Sequence, residues 1–159
     1  PLFWIVNNGF SKLIKVKKMS ITFDSDNIDF PNIKKRETSA WIKKIANSYN
    51  KKVGNVGYLF CNDEKILEIN RQYLDHDFYT DIISFDYSEG DIISGDIFIS
   101  LDTVRTNSQK YNTDYQEELY RVIIHGVLHL CGLDDELDED AISMREAENS
   151  ALKQLYNNE

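Results

Sequence analysis

Cysteine is nearly absent from this chain. Its 159 residues include two, Cys61 and Cys131, too few for a disulfide framework, and both sit in apolar runs where cysteine behaves as a small buried hydrophobe. A reducing compartment, the cytoplasm, is the expected location. Proline (2) and glycine (7) are also scarce, which excludes collagen-like and linker-like sequences. No internal repeat is present. Long apolar runs are missing too: residues 122–133 are interrupted by two histidines and fall well short of the roughly 20 residues that span a bilayer. No membrane association is expected. Residues 2–6 are apolar, but the lysines follow them, whereas a secretory signal carries its positive charge first. Residues 1–18 therefore read as an upstream extension ahead of Met19, or as a short amphipathic arm.

What remains is an ordinary globular composition, 42% hydrophobic and 28% charged, in a length that suits one domain. Residues 19–159 are expected to form it. The net charge of −9 is unevenly spread: residues 1–52 carry 11 Lys+Arg against 4 Asp+Glu, a net of +7, and residues 53–159 carry 7 against 23, a net of −16. The protein as a whole is expected to repel polyanions. A nucleic-acid footprint is therefore expected at Lys34, Lys35, Arg36, Lys43 and Lys44, because phosphate contacts supply most non-specific affinity. The simpler reading of the same residues is a solvated helix face and its flanks.

Strands are predicted over residues 21–23, 53–61, 81–87 and 95–100. Thr38 or Ser39 can cap a helix whose Trp41, Ile42, Ile45 and Ala46 recur at helical spacing, and Asn62 or Asp63 can cap a second one. Ser100 opens a helix to about Lys110, and Asp114 caps the next. That helix becomes apolar on every side from Leu119 onward, the mark of a central, buried element. A last helix covers about residues 138–156. The order predicts an α+β domain of mixed layers: a small four-stranded mixed sheet packed with helices, and a central buried helix carrying two histidines.

Those histidines carry the chemistry. His125 and His129 stand four residues apart on one helical face, a spacing at which two imidazoles converge on one ion. Gly132 can adopt positive φ and end the helix, so that the chain doubles back and brings in Asp135 as third ligand. Asp134 is its rival, either as ligand or as partner to a histidine N–H. Three protein ligands with a fourth position for water describe a catalytic zinc site, one ion per chain; such an ion acidifies its bound water and polarises the bond under attack. A buried core with hydrogen-bonded imidazoles is the competing explanation. Cys131 points to another helix face and is expected to pack, and His76 is expected at the surface. The spacing also matches zinc peptidases, but those place a glutamate directly after the first histidine, where this chain has Gly126.

The segment His125-Gly126-Val127-Leu128-His129-Leu130-Cys131-Gly132-Leu133-Asp134-Asp135 resembles the signature H-G-x-L-H-L-x-G-x-D-H of the YbeY family of metal-dependent endoribonucleases. Residues 69–73, 80–85 and 95–97 are similar to further segments of that family, and the resemblance covers residues 19–156. It implies a cytoplasmic, zinc-dependent, single-strand-selective endoribonuclease that acts on ribosomal RNA precursors or defective ribosomes, with ribosomal RNA and the small ribosomal subunit as partners. Two departures stand out. Asp135 occupies the place of a usual histidine ligand, which lowers the charge of the site by one unit, and Leu74 stands where the family commonly has an arginine. Arg71, one turn earlier, is the candidate substitute and, with Asp134, one of two candidates for a catalytic role. Tyr73, Phe78 and Tyr79 are candidates to stack an unpaired base or to anchor the loop. Two other classes are carried: a zinc peptidase, and a non-enzymatic ribosome-assembly factor that the metal merely stabilises.

Overall fold

The computed structural model describes residues 19–74 and 80–157. The expectations for residues 1–18 and for His76, Phe78 and Tyr79 lie outside the described residues. Strands β1 (Ser20–Ser25), β2 (Lys52–Cys61), β3 (Ile82–Asp86) and β4 (Ile92–Ser100) form one sheet in the order β1-β2-β4-β3. The first three in that order are parallel, and β3 runs antiparallel to β4 at the edge. The helices are α1 (Lys35–Ser48), α2 (Asp63–Tyr73), α3 (Leu101–Lys110), α4 (Tyr115–Leu130) and α5 (Asp138–Tyr156). This is the α+β class with the small mixed sheet expected from the sequence.

Alternation along the strands sends side chains to two faces. Ile97 and Ile99 of β4, with Ile82 of β3, join the main core under α1 and α4. Ile83, Phe85 and Phe98 point the other way, where Ile66 and Ile69 of α2 cover them. Helix α4 is the spine: it packs on the sheet, α1, α3 and α5, and Ile123, Ile124, Val127 and Leu128 are fully buried. The Tyr58 hydroxyl donates to the Ile123 carbonyl at 2.8 Å and ties β2 to its middle. Gly126 lets α4 approach closely, because a Cβ there would lie 2.9 Å from Ile97 Cδ1 and 3.1 Å from Ile82 Cδ1. That approach brings the histidine-bearing part of α4 close to β3 and β4.

Boundaries depart from expectation where packing outweighs local chemistry. Helix α1 starts at Lys35 rather than at Thr38 or Ser39, with no side-chain cap on Lys34. Ile33 is already buried in the core, and Thr38 is buried within the first turn, so the helix begins where the core turns the chain. Strand β4 starts three residues early, at Ile92, because Glu89 and Ile92 exchange backbone hydrogen bonds of 3.0 and 3.1 Å across the turn.

Candidate metal centre

Helix α4 ends in a two-bond turn. The Gly132 N–H donates to the His129 carbonyl and the Leu133 N–H to the Leu128 carbonyl, at 2.9 and 3.1 Å. This Schellman closure needs positive φ at its glycine, and Gly132 has φ +101°. The reversal carries Asp135 back over the helix face that holds the histidines. His125 Nε2 and His129 Nε2 are 2.9 Å apart, and Asp135 Oδ2 lies 3.3 and 3.4 Å from them.

Those edges suit a single zinc ion, whose N and O ligands at about 2.0–2.2 Å in a tetrahedron lie about 3.3 Å from one another. The protonation pattern points the same way. His129 Nδ1 is 2.9 Å from the Leu133 carbonyl, which can only accept, and His125 Nδ1 is 2.8 Å from Glu148 Oε2. Both Nδ1 atoms are therefore donors, and in the neutral rings both Nε2 lone pairs face each other and a carboxylate oxygen. Three acceptors aimed at one point call for a cation.

Helix α5 braces the site. Glu148, buried between α4 and α5, accepts from Arg121 Nη1 at 3.2 Å through its second oxygen, and Arg121 Nη1 also donates to Asn149 Oδ1 at 2.8 Å. Burial alone would raise the Glu148 pKa, but its hydrogen bond with His125 and the charge of Arg121 bring it below the usual value. Burial alone would lower His125, and Glu148, with Asp135 and Asp81 behind it, outweighs that and raises it. Beside the ligands opens a cleft of about 410 Å³ lined by Asp81, Glu118, Asn107, Tyr111, Arg121 and Arg145 together with His125 and Asp135. Burial raises the pKa of both Asp81 and Glu118.

The structure thus brings together His125, His129 and Asp135, the three expected to hold the ion. Asp134 is elsewhere engaged: its Oδ1 accepts from the Asp135 and Glu136 N–H groups at 2.7 and 3.2 Å, fixing the loop rather than a ring. The histidine partner is Glu148 instead, which the sequence reading missed, although a glutamate in register with Met144, Ala151 and Leu152 on a helix's buried face was a signal. Cys131 packs against the core, and burial pushes its thiol up to about 11. Among the described residues, the cleft is lined by none of the basic candidates Lys34, Lys35, Arg36, Lys43 and Lys44, and by neither Arg71 nor Tyr73. Leu74 closes α2 as its C-cap. The basic candidates belong to α1 and the residue before it, and Lys35 lies over the Phe30 ring at 4.4 Å. The arginines at the site, Arg121 and Arg145, come from α4 and α5.

Known proteins place this arrangement. The family model described as Endoribonuclease YbeY matches residues 21–156. A Bacteroides fragilis protein named Endoribonuclease YbeY is 59% identical over 134 residues, covering 84% of this chain and 96% of its own length. Its Bacteroides thetaiotaomicron counterpart is 58% identical over 84% of this chain and 98% of its own. A Porphyromonas gingivalis protein of the same name is 50% identical over 85% and 89%. The solution structure of a Thermotoga maritima protein superposes with a TM-score of 0.64 at 25% identity, over 87% of this chain and 91% of that one. With its fold, its signature helix and these relatives in agreement, the chain belongs to the endoribonuclease YbeY family.

Proposed function

We propose that this protein is a zinc-dependent endoribonuclease selective for single strands, acting on ribosomal RNA in the maturation and quality control of the small ribosomal subunit in the cytoplasm. The observation that supports it most directly is the triangle of three acceptor atoms beside an open cleft, which His125 and Asp135 line. The relatives' name supplies the substrate class. When bound, zinc supplies Lewis acidity and an acidified water at neutral pH.

The chain's own residues do the rest. Glu148 holds the His125 ring with Nδ1 protonated and Nε2 toward the ion's place, and the Leu133 carbonyl does the same for His129. Arg121 neutralises Glu148, so the buried carboxylate stays ionised. Asp135 makes the ligand set anionic, which offsets one charge of the cation where a phosphodiester must approach. Gly126 disfavours a peptidase: it supplies no carboxylate where zinc peptidases carry their glutamate base, and a side chain at that position would press on Ile97 and Ile82 of the sheet.

His125→Ala is expected to remove bound zinc, measured by mass spectrometry, and to abolish cleavage of a ribosomal RNA fragment while the circular-dichroism spectrum is retained. A metal-free His125→Ala protein that still cleaves the fragment at the wild-type rate would overturn the proposal.

A further inference from the structure

Tyr111 and Arg145 both line the cleft and come from separate elements, one just after α3 and the other on α5. Resting on the endoribonuclease reading, we propose that they form a nucleotide subsite, in which Arg145 holds a backbone phosphate and Tyr111 stacks an unpaired base, setting the register of the strand at the metal centre.

The two arginines of the cleft have different duties. Arg121 is 10% exposed and engaged with Glu148, Asn149 and, at 3.6 Å, Glu117. Arg145 is 55% exposed and approaches Glu148 Oε1 at 3.6 Å. That oxygen already receives Arg121, and the other oxygen of Glu148 receives His125. The Arg145 fork is therefore available to an incoming phosphate, for which its planar donors suit two oxygens at once. Elsewhere the walls carry Asp81, Glu118 and Asp135, which disfavour a phosphate, so Arg145 fixes where the backbone lies.

Tyr111 contributes little to the fold. It is 59% exposed, and its backbone N–H closes α3 on the Asn107 carbonyl whatever the side chain. Lys110 lies 5.3 Å from the ring centre and adds positive charge at that rim. An exposed ring lining a polar cleft is a stacking platform that accepts any base. A volume of about 410 Å³ lies at the small end of ligand pockets, roughly 300–1,000 Å³. That size suits a single nucleotide unit, and a base stacks on Tyr111 only once unpaired. A subsite of this kind favours unpaired strands.

The test is single-turnover cleavage of a short unstructured RNA by zinc-loaded protein, reading the half-saturating concentration K1/2 and the limiting rate kmax between about 50 and 200 mM salt. Arg145→Gln is expected to raise K1/2 about tenfold and to lower the slope of log K1/2 against log salt by about 0.7, the loss of one phosphate contact on a single strand. Tyr111→Ala is expected to raise K1/2 about tenfold with the slope unchanged, and Tyr111→Phe to restore it. In all three, zinc content matches wild type and kmax stays within about twofold, since neither side chain touches the ligands. Wild-type K1/2 in both Arg145→Gln and Tyr111→Ala, or a loss confined to kmax, overturns the subsite while leaving the endoribonuclease reading intact. Wild-type protein that cleaves no RNA overturns both.

Discussion

His125 and His129 sit one turn apart on α4 and face the same point, yet they are held by different chemistry. His125 leans on a charged, buried partner from another helix, Glu148, which Arg121 balances. His129 leans on a neutral carbonyl of its own helix's C-terminal turn, Leu133. The first support is made by tertiary packing and couples the site to the electrostatics of the core. The second is local, made by the turn that also delivers Asp135. One half of the centre therefore depends on charge and the other on backbone conformation.

The largest expected effect comes from breaking the charged half. Glu148→Ala leaves Arg121 and His125 without their buried counter-charge, and a loss of about 3–5 kcal/mol in urea unfolding is expected. Glu148→Gln keeps the shape and an acceptor, and is expected to lower zinc affinity about 10–100-fold by competition with a chelating dye. Breaking the local half is milder. Gly132→Ala forces a side chain onto φ +101°, which costs about 1–3 kcal/mol, and it is expected to weaken zinc binding less than Glu148→Gln does. Equal losses of affinity in Glu148→Gln and Gly132→Ala would erase the distinction between the two supports.

A pH dependence sharpens the same comparison. In metal-free protein, the raised pKa of His125 contributes stability that is fully present below its ordinary value of 6.5 and is lost as pH rises through the elevated one. The lowered pKa of Glu148 contributes stability present above 4.5 and lost as pH falls through the depressed one. Both contributions coexist between about pH 4.5 and 6.5. Urea unfolding of metal-free wild type is expected to show that window and Glu148→Gln to flatten it. Zinc must displace the proton on His125, so its affinity is expected to fall as pH drops below the elevated pKa. A pH-independent affinity in a calorimetric titration would contradict the coupling.

What the sequence disclosed follows sequence distance. The caps Ser100 and Asp114, the i,i+4 histidines, and Gly132 with Asp135 are local patterns, and each stands where expected, with Ser100 and Asp114 accepting from Thr103 and Glu117 N–H groups. Glu148 lies 23 residues from His125, and no local rule joins them; only the packing of α5 on α4 does. The cleft was hidden for the same reason, since Asp81, Tyr111, Arg121 and Arg145 come from four places in the chain. The charge count averages over long stretches: it points to the basic residues at and before α1, whereas the cations lining the cleft are two arginines inside the acidic part of the chain.

The most direct measurement is a zinc titration of metal-free protein that follows cleavage of a ribosomal RNA fragment containing paired and unpaired regions. Cleavage is predicted to be absent without metal, to rise to a plateau at one zinc per chain, and to fall in the unpaired region. Undiminished cleavage by rigorously metal-free protein would contradict a metal centre built on His125, His129 and Asp135.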